Sequence, residues 1–476
     1  MKTVSKIFHH TSIRRLQVLL FLLLWLAYGC AINSSNLLEF DLQQVGVEAM
    51  VERGHFYLEG SASPRMQTKG DVFEYRGHKY AAKQPGQFMA GSVVYFLLRR
   101  LGLSYSSQYL LTSALVTFFT SSLVLAASGV ALFIIARELT AKGRSLLHPT
   151  RAVRAGTTIC WPLATTLCYA FATTVFPYSG IAHHDALATG YLVLAFYLIF
   201  RLSHRRVGGR ASYLTAGGAG LLLGLTVTTS MLPFFMVILC ALYFLSLRRW
   251  KLQPVFLAGL LAGLLPLFIY DAVSFGSPFR LANIAGAAMF ADTFWHFDPR
   301  NFGDKLALYA RALASYVPVF AVGLFGFSYY PPQIKRSPEF LTAIGVMIVL
   351  AVFVFNINSD GDCQFGPRYL LPAMPFASLG IVGYSYLSRF SERRLAGVAV
   401  GLAGAVSFVV SLVGAVRGAM NCPHGQNAFW NQLARIGQGE ARSYPLALWL
   451  ILPFIVCSIL FVLHLAERRR TKTLPV

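Results

Sequence analysis

Two acidic side chains stand close together just after the first apolar run of the chain. Glu39 and Asp41 are two residues apart, so in an extended segment both would point to the same side. Such a pair suits a general base beside a second carboxylate that tunes it or binds a metal. Asp41 also has a simpler interpretation, as the N-cap of a short amphipathic helix that Gly54 would end.

Basic side chains farther along the chain are candidates for binding a phosphate. Arg368 follows Gly366-Pro367, and a proline at the first helical position places this arginine in the first turn of a helix. A cation there interacts unfavourably with the helix dipole, at a cost of about 0.3–1 kcal/mol, so a bound anion would account for its position. The alternative is a side chain that reaches for lipid headgroups. Arg280 and Lys83 are further phosphate candidates.

Cationic and aromatic residues alternate in the segment that leads to Lys83. One interpretation is anchoring at lipid headgroups. The other is a rim around an anionic substrate, with tyrosine rings available for stacking. The rim residues are Tyr75, His78, Lys79 and Tyr80.

Three consecutive residues between two apolar runs have the chemistry of metal ligands. Imidazole and carboxylate groups suit Zn or Mn, and His183, His184 and Asp185 supply both. Their spacing favours a solvated turn, and a site for a divalent metal is the alternative. No metal or other cofactor is predicted with certainty.

Twelve apolar runs must position these residues, and most Lys and Arg residues fall in alternate gaps between the runs. The positive-inside rule puts those gaps in the cytoplasm, together with both termini. The carboxylates then lie almost entirely outside. The runs cover residues 16–32, 109–136, 156–176, 186–202, 211–229, 232–248, 254–275, 309–329, 339–356, 368–388, 396–418 and 444–465.

Composition excludes a soluble globular protein. The chain is 56% hydrophobic and only 13% charged, against about 25% charged in an average soluble domain. Its net charge of +22 does not predict nucleic-acid binding, because the excess lies in short loops beside anionic lipid. Cys363 and Cys422 share the outer side, where two free thiols are favoured over a disulfide.

A shorter apolar run at residues 87–98 decides the topology. As a helix it would cover about 18 Å, well short of a bilayer core about 30 Å thick, so we expect an interfacial helix. The sequence therefore predicts an all-α integral membrane protein, a polytopic bundle of about 12 transmembrane helices with extracytoplasmic juxtamembrane helices. Residues 1–476 form one domain, in which 33–107 is the first extracytoplasmic loop.

Several short motifs, in this order over nearly the whole chain, resemble the bacterial membrane glycosyltransferases of the GT-C superfamily. The resemblance is nearest to relatives of the protein O-mannosyltransferases and of the lipid A and lipopolysaccharide sugar transferases. The motifs are the early acid, Lys83-x-Pro85-Gly86, Phe176-Pro177-Tyr178-Ser179, Phe275-Gly276-Ser277-Pro278-Phe279 and Phe365-Gly366-Pro367-Arg368-Tyr369.

The resemblance implies transfer of a sugar from a polyprenyl-phosphate donor to a hydroxyl of a glycan, lipid or protein, with inversion. An acid of the first loop would be the base, with Asp41 preferred to Glu39. Chemistry agrees, because a sugar donor outside the cytoplasm must travel on lipid and its leaving phosphate needs cations. Two alternatives remain: a secondary transporter or lipid flippase, for which twelve spans are equally suitable, and a non-catalytic membrane scaffold.

Overall fold

The computed structural model describes residues 2–63, 71–147, 159–204, 209–286, 297–359, 361, 364–420, 423 and 425–438, and the side chains within these ranges except 2–12 and 144. These residues form a bundle of long helices with smaller elements at one end. The helices are α1 Lys2–Cys30, α2 Ser34–Glu39, α3 Leu42–Glu48, α4 Gly86–Arg100, α5 Tyr105–Thr117, α6 Leu123–Leu147, α7 Cys160–Phe171, α8 Val175–Ser179, α9 His184–His204, α10 Arg210–Thr229, α11 Phe234–Ser246, α12 Gln253–Phe275, α13 Ala282–Ala285, α14 Phe302–Tyr316, α15 Pro318–Gly326, α16 Pro332–Lys335, α17 Pro338–Asn356, α18 Met374–Leu379, α19 Phe390–Arg417 and α20 Ala428–Gly437.

Shorter helical turns extend several of these helices. A π-helical turn continues α3 and another joins α5 to α6, and 3-10 turns flank α12, α14, α15 and α18. The π-helical turns are Ala49–Arg53 and Phe118–Ser122, and the 3-10 turns are Trp250–Leu252, Pro299–Asn301, Phe327–Tyr329, Arg368–Ala373 and Gly380–Tyr386.

Each apolar run within the described residues coincides with helical structure, which confirms the helical membrane architecture. Seven helices there are long and apolar enough to cross a membrane. An eighth candidate is broken, because Pro299–Tyr316 and Pro318–Tyr329 are bent by 102°; Pro318 prevents the helix from continuing across that point. The predicted twelfth run, 444–465, and the residues Asp360, Asp362, Cys363 and Cys422 lie outside the described residues.

Glycines allow two of the long helices to pack with their backbones in contact. A Cβ atom on Gly220 or Gly224 of α10 would overlap the backbone of α12 at Phe256 or Leu260. Small residues at such positions are how membrane helices approach closely.

A β-hairpin corrects the all-α prediction. Strands β1 Val72–Tyr75 and β2 His78–Ala81 pair antiparallel, with Tyr75 opposite His78. Arg76 and Gly77 form the two-residue turn with φ of 52° and 79°, the backbone that type I′ hairpin turns require. The signal was present in the sequence, since a glycine in a two-residue connection between alternating residues is a hairpin pattern.

The hairpin packs with α3, α4, α5 and the end of α12 around a second, smaller apolar core. Val45 and Ala49 point inward and Gly54 ends the helical segment in the left-handed conformation, as predicted. At 15 residues, α4 is about 22 Å long, too short to cross a membrane. We call the end of the bundle that carries this smaller core the hairpin face.

Candidate active site

The structure separates the two early acids. Glu39 is the last residue of α2 and is half-buried, whereas Asp41 immediately precedes α3 and is fully buried. The expectation that both lie in one extended segment and face the same way is therefore wrong, because helices form on either side of Phe40. Asp41 occupies the N-cap position, but its side chain makes no capping hydrogen bond. Its Oδ2 instead accepts a hydrogen bond from the hydroxyl of Ser63.

A second buried carboxylate, which the sequence analysis did not single out, holds the segment that carries Ser63. Glu48 accepts hydrogen bonds from the Ser61 hydroxyl at 2.5 Å and from the Ala62 amide at 2.9 Å. Arg53 lies 3.4 Å from the same carboxylate. Glu48 is about two helical turns beyond Asp41, so the start and the end of α3 hold this segment at two points.

The side chains of His183, His184 and Asp185 form a compact group. One ligand atom from each lies within 4.8 Å of the other two. All three residues are buried, with exposed fractions of 0%, 7% and 2%, so the predicted solvated turn is wrong. The first loop covers this turn through Phe40, and Ser230 donates a hydrogen bond of 2.6 Å to Asp185.

This group has the features of a metal site. The nitrogens that approach the Asp185 carboxylate are Nδ1 of His183, at 3.9 Å, and Nε2 of His184, at 3.5 Å. The Asp185 amide also donates a hydrogen bond of 3.2 Å to Nδ1 of His183. Burial lowers the pKa of His183 well below its ordinary value, which favours the neutral imidazole that coordinates metals. Two imidazoles and a carboxylate suit Zn or Mn, so the residues present fit a divalent metal.

Two of the predicted phosphate-binding cations line one small cleft at the hairpin face. The cleft holds about 350 Å³ of empty space, and its polar lining includes Lys83, Gln84, His184, Asp185, Asn283 and Arg368. Lys83 and Arg368 are 285 positions apart in sequence, and the fold brings them together beside the candidate metal ligands.

Arg368 has a donor free for an anion in the cleft, whereas Lys83 already pairs with an acid. Arg368 is only 9% exposed, which does not fit a side chain that reaches bulk lipid headgroups. Its guanidinium lies over the Tyr369 ring at 4.6 Å, and Nε has no hydrogen-bond partner among the described residues. Lys83 pairs with Asp71 at 3.1 Å, and this ammonium group holds the pKa of Asp71 below its usual range.

The predicted substrate rim is only partly on the surface. Tyr80 is buried and packs against Phe275 with 5.2 Å between ring centroids, so its assignment to the rim is wrong. Tyr75 accepts a hydrogen bond of 2.9 Å from Arg280. Arg280 is exposed and is not part of the cleft lining.

The other two rim residues are exposed on β2. His78 stacks on the ring of Tyr57 at 4.2 Å, and the backbone amide of Lys79 donates to Glu59 at 2.7 Å. Neither residue lines the cleft.

Two of the sequence motifs meet at this site. The hydroxyl of Tyr178 donates to the carbonyl of Phe365 at 3.1 Å, and the Tyr178 ring lies 5.1 Å from that of His183. The segments before α9 and before Arg368 are therefore joined directly beside the cleft.

No protein-family model and no curated protein matches the sequence. Solved structures do match. An oligosaccharyltransferase from Archaeoglobus fulgidus, in complex with Zn and sulfate, is 15% identical with a TM-score of 0.50, over 85% of this chain and 54% of that one. The protein ArnT from Cupriavidus metallidurans, bound to undecaprenyl phosphate, is 15% identical with a TM-score of 0.47, over 94% of this chain and 76% of that one.

A third similar structure is the oligosaccharyltransferase AglB from Archaeoglobus fulgidus in complex with an inhibitory peptide and a dolichol-phosphate. It is 11% identical with a TM-score of 0.48, over 86% of this chain and 57% of that one. At these identities the similarity concerns the fold. The fold is similar to that of the archaeal oligosaccharyltransferase in complex with Zn and sulfate, and the chain spans about half the length of that protein.

Proposed function

We propose that this protein is a glycosyltransferase that moves a sugar from a polyprenyl-phosphate donor to an acceptor hydroxyl. The observation that carries the proposal is the cleft in which Lys83 and Arg368 lie together at the hairpin face. Two cations in a largely buried cleft, beside apolar helices, suit the phosphate of a lipid-linked substrate. The GT-C fold supports the same reaction class.

In the proposed reaction, Asp41 takes the proton of the acceptor hydroxyl as its oxygen attacks the anomeric carbon. The bond between that carbon and the phosphate oxygen breaks, and the lipid phosphate leaves with the electron pair. Lys83 and Arg368 stabilise the charge on the leaving phosphate. Attack opposite the leaving group inverts the anomeric centre. Glu39, which is half-buried, is the less favoured candidate for the base.

His183, His184 and Asp185 would hold a divalent metal in this enzyme. A metal there supplies a further positive charge for the donor phosphate. The ligands lie against Phe40, the residue before Asp41, and His184 and Asp185 share the cleft with the two cations.

The same proposal places the hairpin face outside the cytoplasm, with residues 1–476 as one domain of about 12 spans and both termini inside. Basic residues in alternate gaps support this orientation. A cysteine introduced at Ser107 should react with a membrane-impermeant reagent added from the extracytoplasmic side. Labelling from the cytoplasmic side only would contradict the orientation.

Transfer from a lipid-linked donor tests the function directly. Wild type in liposomes should transfer or hydrolyse a labelled sugar from at least one member of a panel of undecaprenyl-phosphate hexoses and pentoses. Asp41→Asn should lower that rate by about 10²–10⁴-fold, the usual contribution of a positioned base. Movement of the lipid across the bilayer with no sugar released would identify a flippase instead, and absence of both activities would contradict the proposal.

A further inference from the structure

Two amide side chains in the cleft have no role in the reaction described above. Gln84 directly follows Lys83, and Asn283 belongs to α13; both line the cleft. Their exposed fractions are 5% and 8%. Oδ1 of Asn283 is buried without a hydrogen-bond partner among the described residues. A buried polar group in this state costs free energy unless a ligand or water satisfies it.

The fold holds both amides in place. Gly86, two residues after Gln84, packs so closely on Thr229 at the end of α10 that a Cβ atom would overlap it. Gly286, three residues after Asn283, lies against the ring of Phe73 on β1 in the same way. The backbone near each amide is therefore packed closely, beside α10 for Gln84 and beside the hairpin for Asn283.

The chemistry of an amide differs from that of the neighbouring cations. Lysine and arginine only donate hydrogen bonds and attract anions, whereas an amide both donates and accepts. A sugar hydroxyl also donates and accepts, so it satisfies both functions of an amide. Cations beside neutral amides therefore match a ligand with a phosphate at one end and hydroxyl groups at the other.

Apolar residues complete the lining of the cleft. Met231, Leu232 and Tyr369 add apolar surface to it, which suits the carbon-bound face of a sugar ring. A sugar therefore matches both the polar and the apolar parts of the lining.

We propose that Gln84 and Asn283 bind the hydroxyl groups of the sugar carried on the donor phosphate. They thereby determine which sugar the protein accepts. This inference rests on the proposed function, because it takes the ligand of Lys83 and Arg368 to be a polyprenyl phosphate. A sugar that lacks the matching hydroxyl would leave a buried amide unpaired and would be rejected.

The test compares two probes that differ only in the sugar: undecaprenyl phosphate, and undecaprenyl phosphate bearing a hexose or pentose. Binding is measured with purified wild type, Gln84→Leu, Asn283→Leu and, as the matched control, Arg368→Ala. Each leucine variant should lose about threefold to tenfold in affinity for the sugar-bearing lipid, the effect of one neutral hydrogen bond. Neither should change affinity for the bare phosphate. Arg368→Ala should weaken both probes.

Gln84→Met and Asn283→Ala remove the amide without adding a charge, and serve if the leucine variants do not fold. The inference is overturned if no sugar improves binding to wild type, or if the variants lose affinity for both probes equally, which would make the amides phosphate ligands. Failure of wild type to bind undecaprenyl phosphate would instead remove the proposed function.

Discussion

The ring of Phe40 stacks on the imidazole of His183, with 4.8 Å between centroids and 14° between planes. It also stacks less closely on His184, at 6.1 Å. Because Phe40 precedes Asp41 in the chain, this contact fixes the candidate base beside the candidate metal ligands. Residues from the first loop and from the start of α9 thus form one unit, although 142 positions separate Asp41 from His183.

The hydrogen bond from Ser63 to Asp41 predicts that Glu48 acts through Asp41. Glu48 accepts hydrogen bonds from Ser61 and Ala62 and so positions Ser63. Glu48→Gln should therefore disturb the hydrogen bond from Ser63 to Asp41 and reduce turnover, with little change in donor KM. Ser63→Ala should do the same, by about tenfold, and Ser63→Thr should restore activity because it keeps the hydroxyl.

The matched control for Glu48→Gln is Glu52→Gln, which removes the charge on the carboxylate that accepts a hydrogen bond from Tyr95 and should leave turnover unchanged. In the Asp41→Asn background, Ser63→Ala should have no further effect on the residual rate. An additional loss there would mean that Ser63 and Glu48 are only structural.

The three candidate metal ligands predict specific Zn or Mn binding. Purified wild type should retain close to one equivalent of metal after dialysis, whereas His184→Gln and Asp185→Asn should retain far less, since each removes one ligand. His78→Gln, on the exposed hairpin surface, is the control and should bind as wild type does. Equal metal content in all four proteins would contradict the site.

The helical bundle could be predicted from the sequence because apolar runs and alternate basic gaps are local signals. Lys83 and Arg368 were predicted individually, Arg368 from the helix start at Gly366-Pro367 and Lys83 from a run of cationic and aromatic residues. That they share a cleft with His184 depends on how separate helices pack, which no local pattern encodes. Burial of the three candidate metal ligands likewise depends on Phe40 and Ser230, which come from other parts of the chain.

Other features escaped prediction for different reasons. The hairpin had a signal in Arg76-Gly77, but the surrounding residues are charged and aromatic, which favoured a surface interpretation. Glu48 had no sequence signal, because a carboxylate on a short amphipathic helix is ordinarily solvated. It gains hydrogen-bond partners only because residues 61–63 fold back onto α3. Amides such as Asn283 carry no sequence signal of binding.

The ion pair between Lys83 and Asp71 predicts a change in stability with pH. Lys83 lowers the pKa of Asp71, so the folded protein favours the ionised carboxylate. The pair therefore contributes stability above the ordinary carboxyl pKa of about 3.9, and that contribution is lost as pH falls through the lowered pKa.

The Tm of Asp71→Asn should accordingly lie below that of wild type at neutral pH, by about 1–2 °C because the Asp71 side chain is 45% exposed. The difference should shrink as pH falls below the ordinary carboxyl pKa and vanish once Asp71 is protonated in the folded protein. Glu392→Gln, which removes an exposed pair 3.7 Å apart, should not change Tm. A difference for Asp71→Asn that persists in acid would mean that charge is not the cause.

Arg368 provides the sharpest test of phosphate binding, because its charge and its geometry can be changed separately. Arg368→Lys keeps the positive charge but loses the planar fork that grips two phosphate oxygens. Affinity for undecaprenyl phosphate should fall about tenfold in Arg368→Lys and further in Arg368→Ala, as expected for charge-assisted hydrogen bonds of about 1.5–3 kcal/mol. Arg280→Ala, which removes an exposed cation outside the cleft lining, should bind as wild type does. Thermal unfolding of each variant establishes that it is folded. Unchanged binding in folded Arg368→Ala would place the phosphate elsewhere and leave Arg368 with a packing role over Tyr369.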